Sequence, residues 1–263
     1  MTTWPRHLSA TRYATPLREG GSLPALLEAD DDGLYVVKLR GAGQGTPVLI
    51  AELICAGLAN ALSLPIPEVV RIDLAPAIGR NEPDPEIHAL LAKSVGDNLG
   101  LDYLPGSITF DPAADRRPSP DLAAKIILFD LLVTNPDRTD RNPNLLWWHD
   151  RLWLIDHGAA LYFQYAFSPD APLARSQSPL PRLADHVLWP FAAPLPTALP
   201  SFTDLAAHIP AIIAAIPDDW LASSATPLPS RAEYAAWLAA RLAYLPHLAH
   251  LAEEADRGRS LVV

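Results

Sequence analysis

The sequence has almost no cysteine. Its 263 residues contain a single one, Cys55, so an internal disulfide and a cysteine-rich metal site are both excluded. Cys55 stands inside an apolar segment, where we expect a small core residue. The histidines are scattered; only His247 and His250 have helical spacing, and we interpret them as helix surface. Neither a Gly-x-Ser-x-Gly elbow nor a Walker-type Gly-x-x-x-x-Gly-Lys-Ser/Thr loop occurs, which disfavours the corresponding hydrolases and nucleotide-binding proteins.

Positive charge is also in short supply. The chain has 20 Lys and Arg against 30 Asp and Glu, a formal net charge of −10. This balance disfavours nucleic acid and anionic membrane surfaces as partners. Residues 1–10 lack the apolar core of a secretory signal, and the longest apolar runs, near 122–133 and 205–216, are too short or too interrupted to span a bilayer. We expect a soluble protein of the reducing cytoplasm.

Hydrophobic patterning predicts a mixed α+β chain. About half of the residues are hydrophobic, enough for a sizeable core, and 28 prolines mark many helix ends and loops. Alternation, periodicity and turn residues give the following elements. We predict strands at 34–39, 68–74, 145–148 and 152–155, a further strand or two within 90–104, and helices at 47–64, 122–133 and 231–245.

Residues 135–158 contain the most informative group of candidate catalytic and metal-binding side chains. A polar loop with Asp137 and Asn144 leads into a predicted hairpin, which delivers Asp156 followed by Gly158. Phosphoryl transfer from ATP needs a carboxylate at the acceptor hydroxyl, oxygen ligands for Mg²⁺, and a rigid element that fixes their relation. Turn formation alone would explain a loop rich in Asn, Asp and Pro. A carboxylate at the end of a buried strand, however, is costly unless it is paired or binds metal.

The run from Asn135-Pro-Asp-Arg138 to Asn142-Pro-Asn144-Leu-Leu, followed by Leu-Ile-Asp156-His-Gly158, resembles the catalytic and metal-binding segments of the HipA-like kinases and their lipid-kinase-like relatives. The resemblance covers roughly residues 20–160. It implies a protein-kinase-like two-lobed fold, with a β-rich ATP-binding lobe at 1–104 and a helical catalytic lobe at 105–263. It also implies ATP and Mg²⁺ as cofactors.

The same resemblance assigns roles in the loop and the hairpin. Asp137 is the expected catalytic aspartate, with Asp140 as a competitor, and Arg138 is a candidate for neutralising the transferring phosphoryl group. Asn144 and Asp156 are the expected Mg²⁺ ligands. In many kinases the metal-binding asparagine follows five residues after the aspartate, which would select Asn142, so Asn142 remains an alternative to Asn144.

The N-terminal region has the matching order of elements. Lys38 on a predicted strand and Glu52 on the next helix correspond to the lysine that contacts the α- and β-phosphates and the glutamate that holds it. By position, Gly21 and Ser22 are candidates for phosphate contact, and Gly41 to Gly45 is a linker or a flap over the nucleotide. Asp102 and Tyr103 fall at the expected hinge, whose backbone would bind the adenine.

These features predict an ATP- and Mg²⁺-dependent kinase. It would transfer the γ-phosphoryl group to a hydroxyl of an unidentified protein, at Ser or Thr, or of a small molecule. Two alternatives remain open from the sequence: a nucleotidyltransferase that moves AMP on the same fold, and a non-catalytic nucleotide-binding pseudokinase.

Overall fold

Five strands in the N-terminal part close into a small barrel. The structure, a computed structural model, describes residues 4–17, 24–43, 45–80, 82–181, 183–224 and 226–260, with backbone alone for 257–260. The strands are β1 (Arg6–Pro16), β2 (Ala25–Ala29), β3 (Leu34–Lys38), β4 (Val69–Leu74) and β5 (Gly96–Asp102). Their order is β1-β2-β3-β5-β4, and a parallel pairing of β1 with β4 closes the ring.

Alternation along β3 decides which way its lysine points. Tyr35 and Val37 are buried in the barrel's own core. Lys38 lies on the opposite face and is paired with Leu99 of β5, which belongs to the larger core beneath the barrel. Because side chains alternate between the two faces of a strand, Lys38 points out of the barrel towards that larger core.

The first helix, α1 (Thr46–Ala61), fills the space under the barrel and is buried along almost its whole length, Cys55 included. It starts after Gly45, whose φ of 75° is a conformation that favours glycine. It ends earlier than predicted, because Ser63 adopts a left-handed conformation (φ 55°) and its amide donates back to the Asn60 carbonyl.

The central helix and hairpin form as predicted. Helix α3 (Pro120–Val133) is capped by Ser119, whose Oγ accepts from the Leu122 amide at 3.3 Å. Strands β6 (Ile108–Thr109), β7 (Leu145–Trp148) and β8 (Arg151–Leu154) form a second sheet in that order. His149 and Asp150, both with positive φ, make the tight turn between β7 and β8, a geometry that matches the natural strand twist.

The C-terminal part is helical. Helices α4 (Ile209–Ala214) and α5 (Asp218–Ala222) pack against α1, and α6 (Arg231–Ser260) packs against α3 and α4. One face of α6 holds the segment that follows Asp156: the hydroxyl of Tyr234 donates to Gln164, and Trp237 donates to the Ala174 carbonyl. The buried Arg241 donates to the carbonyls of Ser176, Ser178 and Leu131.

Several elements differ from the prediction, among them the short strands β2 and β6, which were not predicted. Strand β1 was not predicted, because most of its side chains are exposed and it carries no apolar alternation. Within 90–104 the first residues belong to helix α2 (Pro85–Lys93), started by the Asp84 cap, and only β5 is a strand. Helix α6 continues past Leu245 and includes Pro246.

The mixed α+β prediction is confirmed, with a strand-rich N-terminal part and a helical C-terminal part. The division at residue 104 stays a prediction. None of the helices in the described part of the chain has both the length and the hydropathy that a membrane crossing requires.

Candidate active site

Lys38 joins two parts of the chain that are far apart in sequence. Its Nζ forms an ion pair with Glu52 Oε1 on α1 and a second with Asp156 Oδ1, 2.5 Å away, just after β8. Lys38 and Glu52 are buried, whereas the Asp156 side chain is 47% exposed. The predicted lysine, glutamate and second aspartate therefore meet at one place.

Burial alone would lower the pKa of Lys38, but the charges of Glu52 and Asp156 outweigh it and raise that pKa. Burial would likewise raise the pKa of Glu52. The ammonium of Lys38 and the hydrogen bond from the His157 amide, 2.8 Å from Oε1, lower it to about 2. Both members of the pair are therefore ionised over the physiological range.

Acid should weaken the fold through Glu52. A carboxyl whose folded pKa is depressed stabilises the protein above its unfolded pKa, about 4.3, and this contribution is lost as the pH falls towards the folded value. From the shift to about 2, we expect on the order of 3 kcal/mol to disappear between about pH 5 and pH 2. Urea denaturation of the wild type and of Glu52→Gln at several pH values measures this loss. The difference between their free energies of unfolding should narrow as the pH falls. A constant difference would contradict the assignment.

The hairpin brings Asn144 and Asp156 together at its open end. Asn144 immediately precedes β7, Asp156 follows β8, and the Ile155 amide donates to the Asn144 carbonyl at 3.1 Å. Both residues have a left-handed backbone, with φ of 50° and 54°, a conformation that Asn and Asp tolerate better than other side chains. Gly158 is needed next to them, because a Cβ there would lie 2.7 Å from the Val48 side chain.

Asp137 lies in the loop before the hairpin and accepts a 2.9 Å hydrogen bond from Asn142 Nδ2. Its pKa is raised, first by burial and then by the negative charge of Asp156. The nearby side chain of Asn144 also lowers the pKa of Asp137. The buried Nδ2 of Asn144 nevertheless has no hydrogen-bond partner of ordinary geometry among the described residues. Asp140 is exposed. The two asparagines therefore differ: Asn142 holds Asp137 by a hydrogen bond of ordinary geometry, whereas the Nδ2 of Asn144 has no such bond among the described residues.

Arg138 occupies a different place from the one expected. Its side chain is fully buried, with Nε 2.6 Å from Asp130 Oδ2, one terminal nitrogen 2.5 Å from the Asn144 carbonyl and the other 3.1 Å from His157 Nε2. Every guanidinium nitrogen is thus engaged inside the protein. We correct the expectation accordingly. Arg138 fixes the loop from the protein interior, and its guanidinium is not exposed to a phosphoryl group.

A buried carboxylate that sequence reasoning missed organises this network. Asp130 on α3 also accepts hydrogen bonds from His186 Nε2 at 3.0 Å and Asn135 Nδ2 at 3.1 Å. Burial would raise its pKa, but Arg138 and His186 lower it strongly. The signal was a lone Asp in an otherwise apolar helix, Ile-Leu-Phe-Asp-Leu-Leu, where an unpaired charge would be very costly.

The predicted hinge residues use their amides within the protein. The Asp102 amide donates to the Glu68 carbonyl at 2.8 Å, and the Tyr103 amide to the Leu34 carbonyl at 2.9 Å. Neither N–H is therefore available to an adenine ring, and the assignment of the hinge backbone to the adenine stays a prediction. The next amide, that of Leu104, makes no hydrogen bond within the described ranges.

The glycine-rich candidates give less information. Gly21 and Ser22 lie outside the described residues. Gly41 follows β3 and donates its amide to Ser94 Oγ at 3.1 Å, and Gly45 precedes α1. No group of three or more His, Cys, Asp or Glu side chains that could hold a metal ion occurs in the part of the chain that is described.

A buried lysine–glutamate pair, facing a loop aspartate and a hairpin that ends in a second aspartate, is the arrangement of kinase-like phosphotransferases. The comparisons with known proteins agree. The family model of the HipA-like kinases matches residues 12–243, and the chain belongs to this family.

One solved structure shows the same fold. The chain is similar to the Helicobacter pylori proinflammatory kinase CtkA, with a TM-score of 0.56 and 13% identity over 92% of this chain and 96% of that one. It also matches the Golgi casein kinase solved with Mn/ADP, with a TM-score of 0.49 and 12% identity over 92% of this chain and 72% of that one. A search of curated proteins finds no match.

Proposed function

We propose that the protein is an ATP- and Mg²⁺-dependent phosphotransferase that moves the γ-phosphoryl group to a hydroxyl. The observation that carries this proposal is the contact of Lys38 on β3 with both Glu52 on α1 and Asp156 after β8. An ammonium fixed between two carboxylates is a compact positive charge, well suited to the α- and β-phosphates of a nucleotide.

Two half-buried apolar faces suit a purine ring. On the barrel, Leu26 is paired with Val36, and both share the face of Lys38. On the hairpin, Leu146 is paired with Trp153, on the face turned away from the buried Leu145 and Leu154. We assign these faces to the roof and the floor of an ATP site between a β-rich lobe and a helical lobe. The free amide of Leu104 would meet the adenine edge.

The oxygen ligands fit a magnesium ion. Mg²⁺ is usually held by one or two side-chain oxygens together with phosphate oxygens and water. The exposed carboxylate of Asp156 and the side-chain oxygen of Asn144 would provide such a pair at the open end of the hairpin. When bound, the metal would neutralise charge on the phosphates. We favour Asn144 over Asn142, because Asn144 lies beside Asp156 at the end of the hairpin, whereas Asn142 donates to Asp137.

Asp137 is the proposed catalytic carboxylate. It would orient the acceptor hydroxyl and take its proton late in the transfer, while the γ-phosphoryl group passes from the leaving ADP to the acceptor oxygen. Its raised pKa makes it a better proton acceptor than an ordinary aspartate. The hydrogen bond from Asn142 fixes the orientation of the carboxylate.

Nucleotide binding should stabilise the protein in a metal-dependent way. A ligand at 100 times its Kd contributes about 2.7 kcal/mol, which corresponds to a rise in Tm of roughly 5–10 °C for a chain of this size. We expect ATP with Mg²⁺ to give this shift, ATP alone to give less, and Asn144→Ala to remove the metal-dependent part. Thermal-shift assays measure all three.

Asn60→Ala, an exposed asparagine on α1, is the matched control and should behave as wild type. No shift with any nucleotide would contradict the proposal. Mass spectrometry of the products then separates the possible reactions. Transferred phosphate supports a kinase, an added AMP identifies a nucleotidyltransferase, and binding without any product identifies a pseudokinase.

A further inference from the structure

A continuous chain of buried polar contacts, through side chains and one backbone amide, runs between Lys38 and the loop of Asp137. Lys38 pairs with Glu52, and Glu52 accepts the His157 amide. The His157 ring meets Arg138, and Arg138 holds both Asp130 and the Asn144 carbonyl. His157, the residue after Asp156, links the Lys38–Glu52 pair to the buried network around Arg138.

The contacts of His157 define its role. Its ring is fully buried, and Nε2 lies 3.1 Å from a terminal nitrogen of Arg138. A guanidinium can only donate, so Nε2 accepts and the ring proton lies on Nδ1. Nδ1 has no hydrogen-bond partner among the described residues, and Glu52 Oε2 is 3.7 Å away. The ring therefore faces the carboxylate that holds the lysine on one side and the cation that holds the loop on the other.

We propose that His157 is a positioning residue that couples the Lys38–Glu52 pair to the loop of Asp137 and Asn144. Through Arg138 its ring fixes the backbone of Asn144, and through its amide it fixes Glu52. The nucleotide-binding lysine and the metal-binding end of the hairpin are thereby set in place together. This inference rests on the proposed function, because it specifies how the same site is assembled.

The competing explanation is simple packing. The His157 ring also meets the Phe129 ring edge-on, with centroids 5.6 Å apart, and an aromatic side chain of any kind could fill this space. The two explanations predict opposite orders for two substitutions. Gln places an acceptor oxygen near the position of Nε2, whereas Phe fills the space but leaves the Arg138 donor buried and unpaired.

The experiment compares His157→Gln and His157→Phe in the full chain. We measure kcat and KM for ATP by ADP release with water as the acceptor, together with the Tm shifts produced by ADP with and without Mg²⁺. For His157→Phe we expect kcat to fall by roughly 10- to 100-fold, because small displacements of a catalytic site are costly. The Mg²⁺-dependent part of the Tm shift should shrink, while the shift by ADP alone is kept. His157→Gln should lie within about 3-fold of wild type.

His88→Gln, an exposed histidine on α2, is the control and should match wild type. If His157→Phe does not fold, His157→Asn replaces it, since its shorter amide cannot reach Arg138, and the same losses are expected. If the wild type turns over and His157→Phe and His157→Gln have the same kcat and the same Tm shifts, this inference is overturned and the proposed function is not. A wild type with neither turnover nor a nucleotide shift overturns the proposed function and this inference with it.

Discussion

Replacing Asp137 by asparagine is expected to lower kcat by about 10³-fold, within the range observed for loss of a general base, with little change in KM for ATP. The amide has nearly the same shape but cannot take the proton of the acceptor hydroxyl. The hydrogen bond from Asn142 can be retained through the remaining oxygen, so the loop should stay in place. Initial rates of ADP release at saturating Mg²⁺ give the comparison.

Two further variants make this result specific to Asp137. Asp73→Asn changes an exposed carboxylate on β4 and should leave the rate unchanged. Asp140→Asn tests the competing candidate, which is exposed and for which we expect an effect of less than about 3-fold. A large loss at Asp140 together with a small one at Asp137 would exchange the two roles.

Asp130→Ala should give the largest loss of stability, about 3–5 kcal/mol, because it leaves a buried cation without its counter-charge. Asp130 and Arg138 are both fully buried, and the carboxylate also accepts from His186 and Asn135. Three donors would lose their acceptor at once. Urea denaturation with the slope m compared between variants measures the change in the free energy of unfolding.

Asp121→Ala is the matched control on the same helix. Its side chain is exposed in the first turn of α3, where the loss of a favourable dipole interaction should cost less than about 1 kcal/mol. A loss at Asp130 as small as the one at Asp121 would mean that the buried network contributes little to stability.

The sequence was sufficient where the signal is local. The Ser119 cap and the apolar run after it predict α3, and the His149–Asp150 turn between two apolar runs predicts the hairpin. The hairpin in turn places Asn144 and Asp156 together, since strand pairing joins its two ends. The contact of Lys38 with Glu52 followed from the order of elements that the family resemblance supplied.

The rest depends on contacts between distant residues. Asp130 and His186 are 56 residues apart, and Glu52 and His157 are 105 apart, so no local pattern links them. The role of Arg138 was misjudged for the same reason, because its exposure depends on α3 and on the segment around His186. The hydrogen bonds of Asp102 and Tyr103 were also out of reach, because element order does not say which N–H groups the neighbouring residues already use.

The hydrogen bonds between α6 and residues 164–178 bear on regulation. Many kinases order the segment after the second aspartate by adding phosphate to it. Here Tyr234, Trp237 and Arg241 already order it through Gln164 and backbone carbonyls, and Ser176 is itself buried. A phosphate there is not required for order. Helix α6 therefore orders the segment after Asp156 by packing and hydrogen bonds, without a covalent modification.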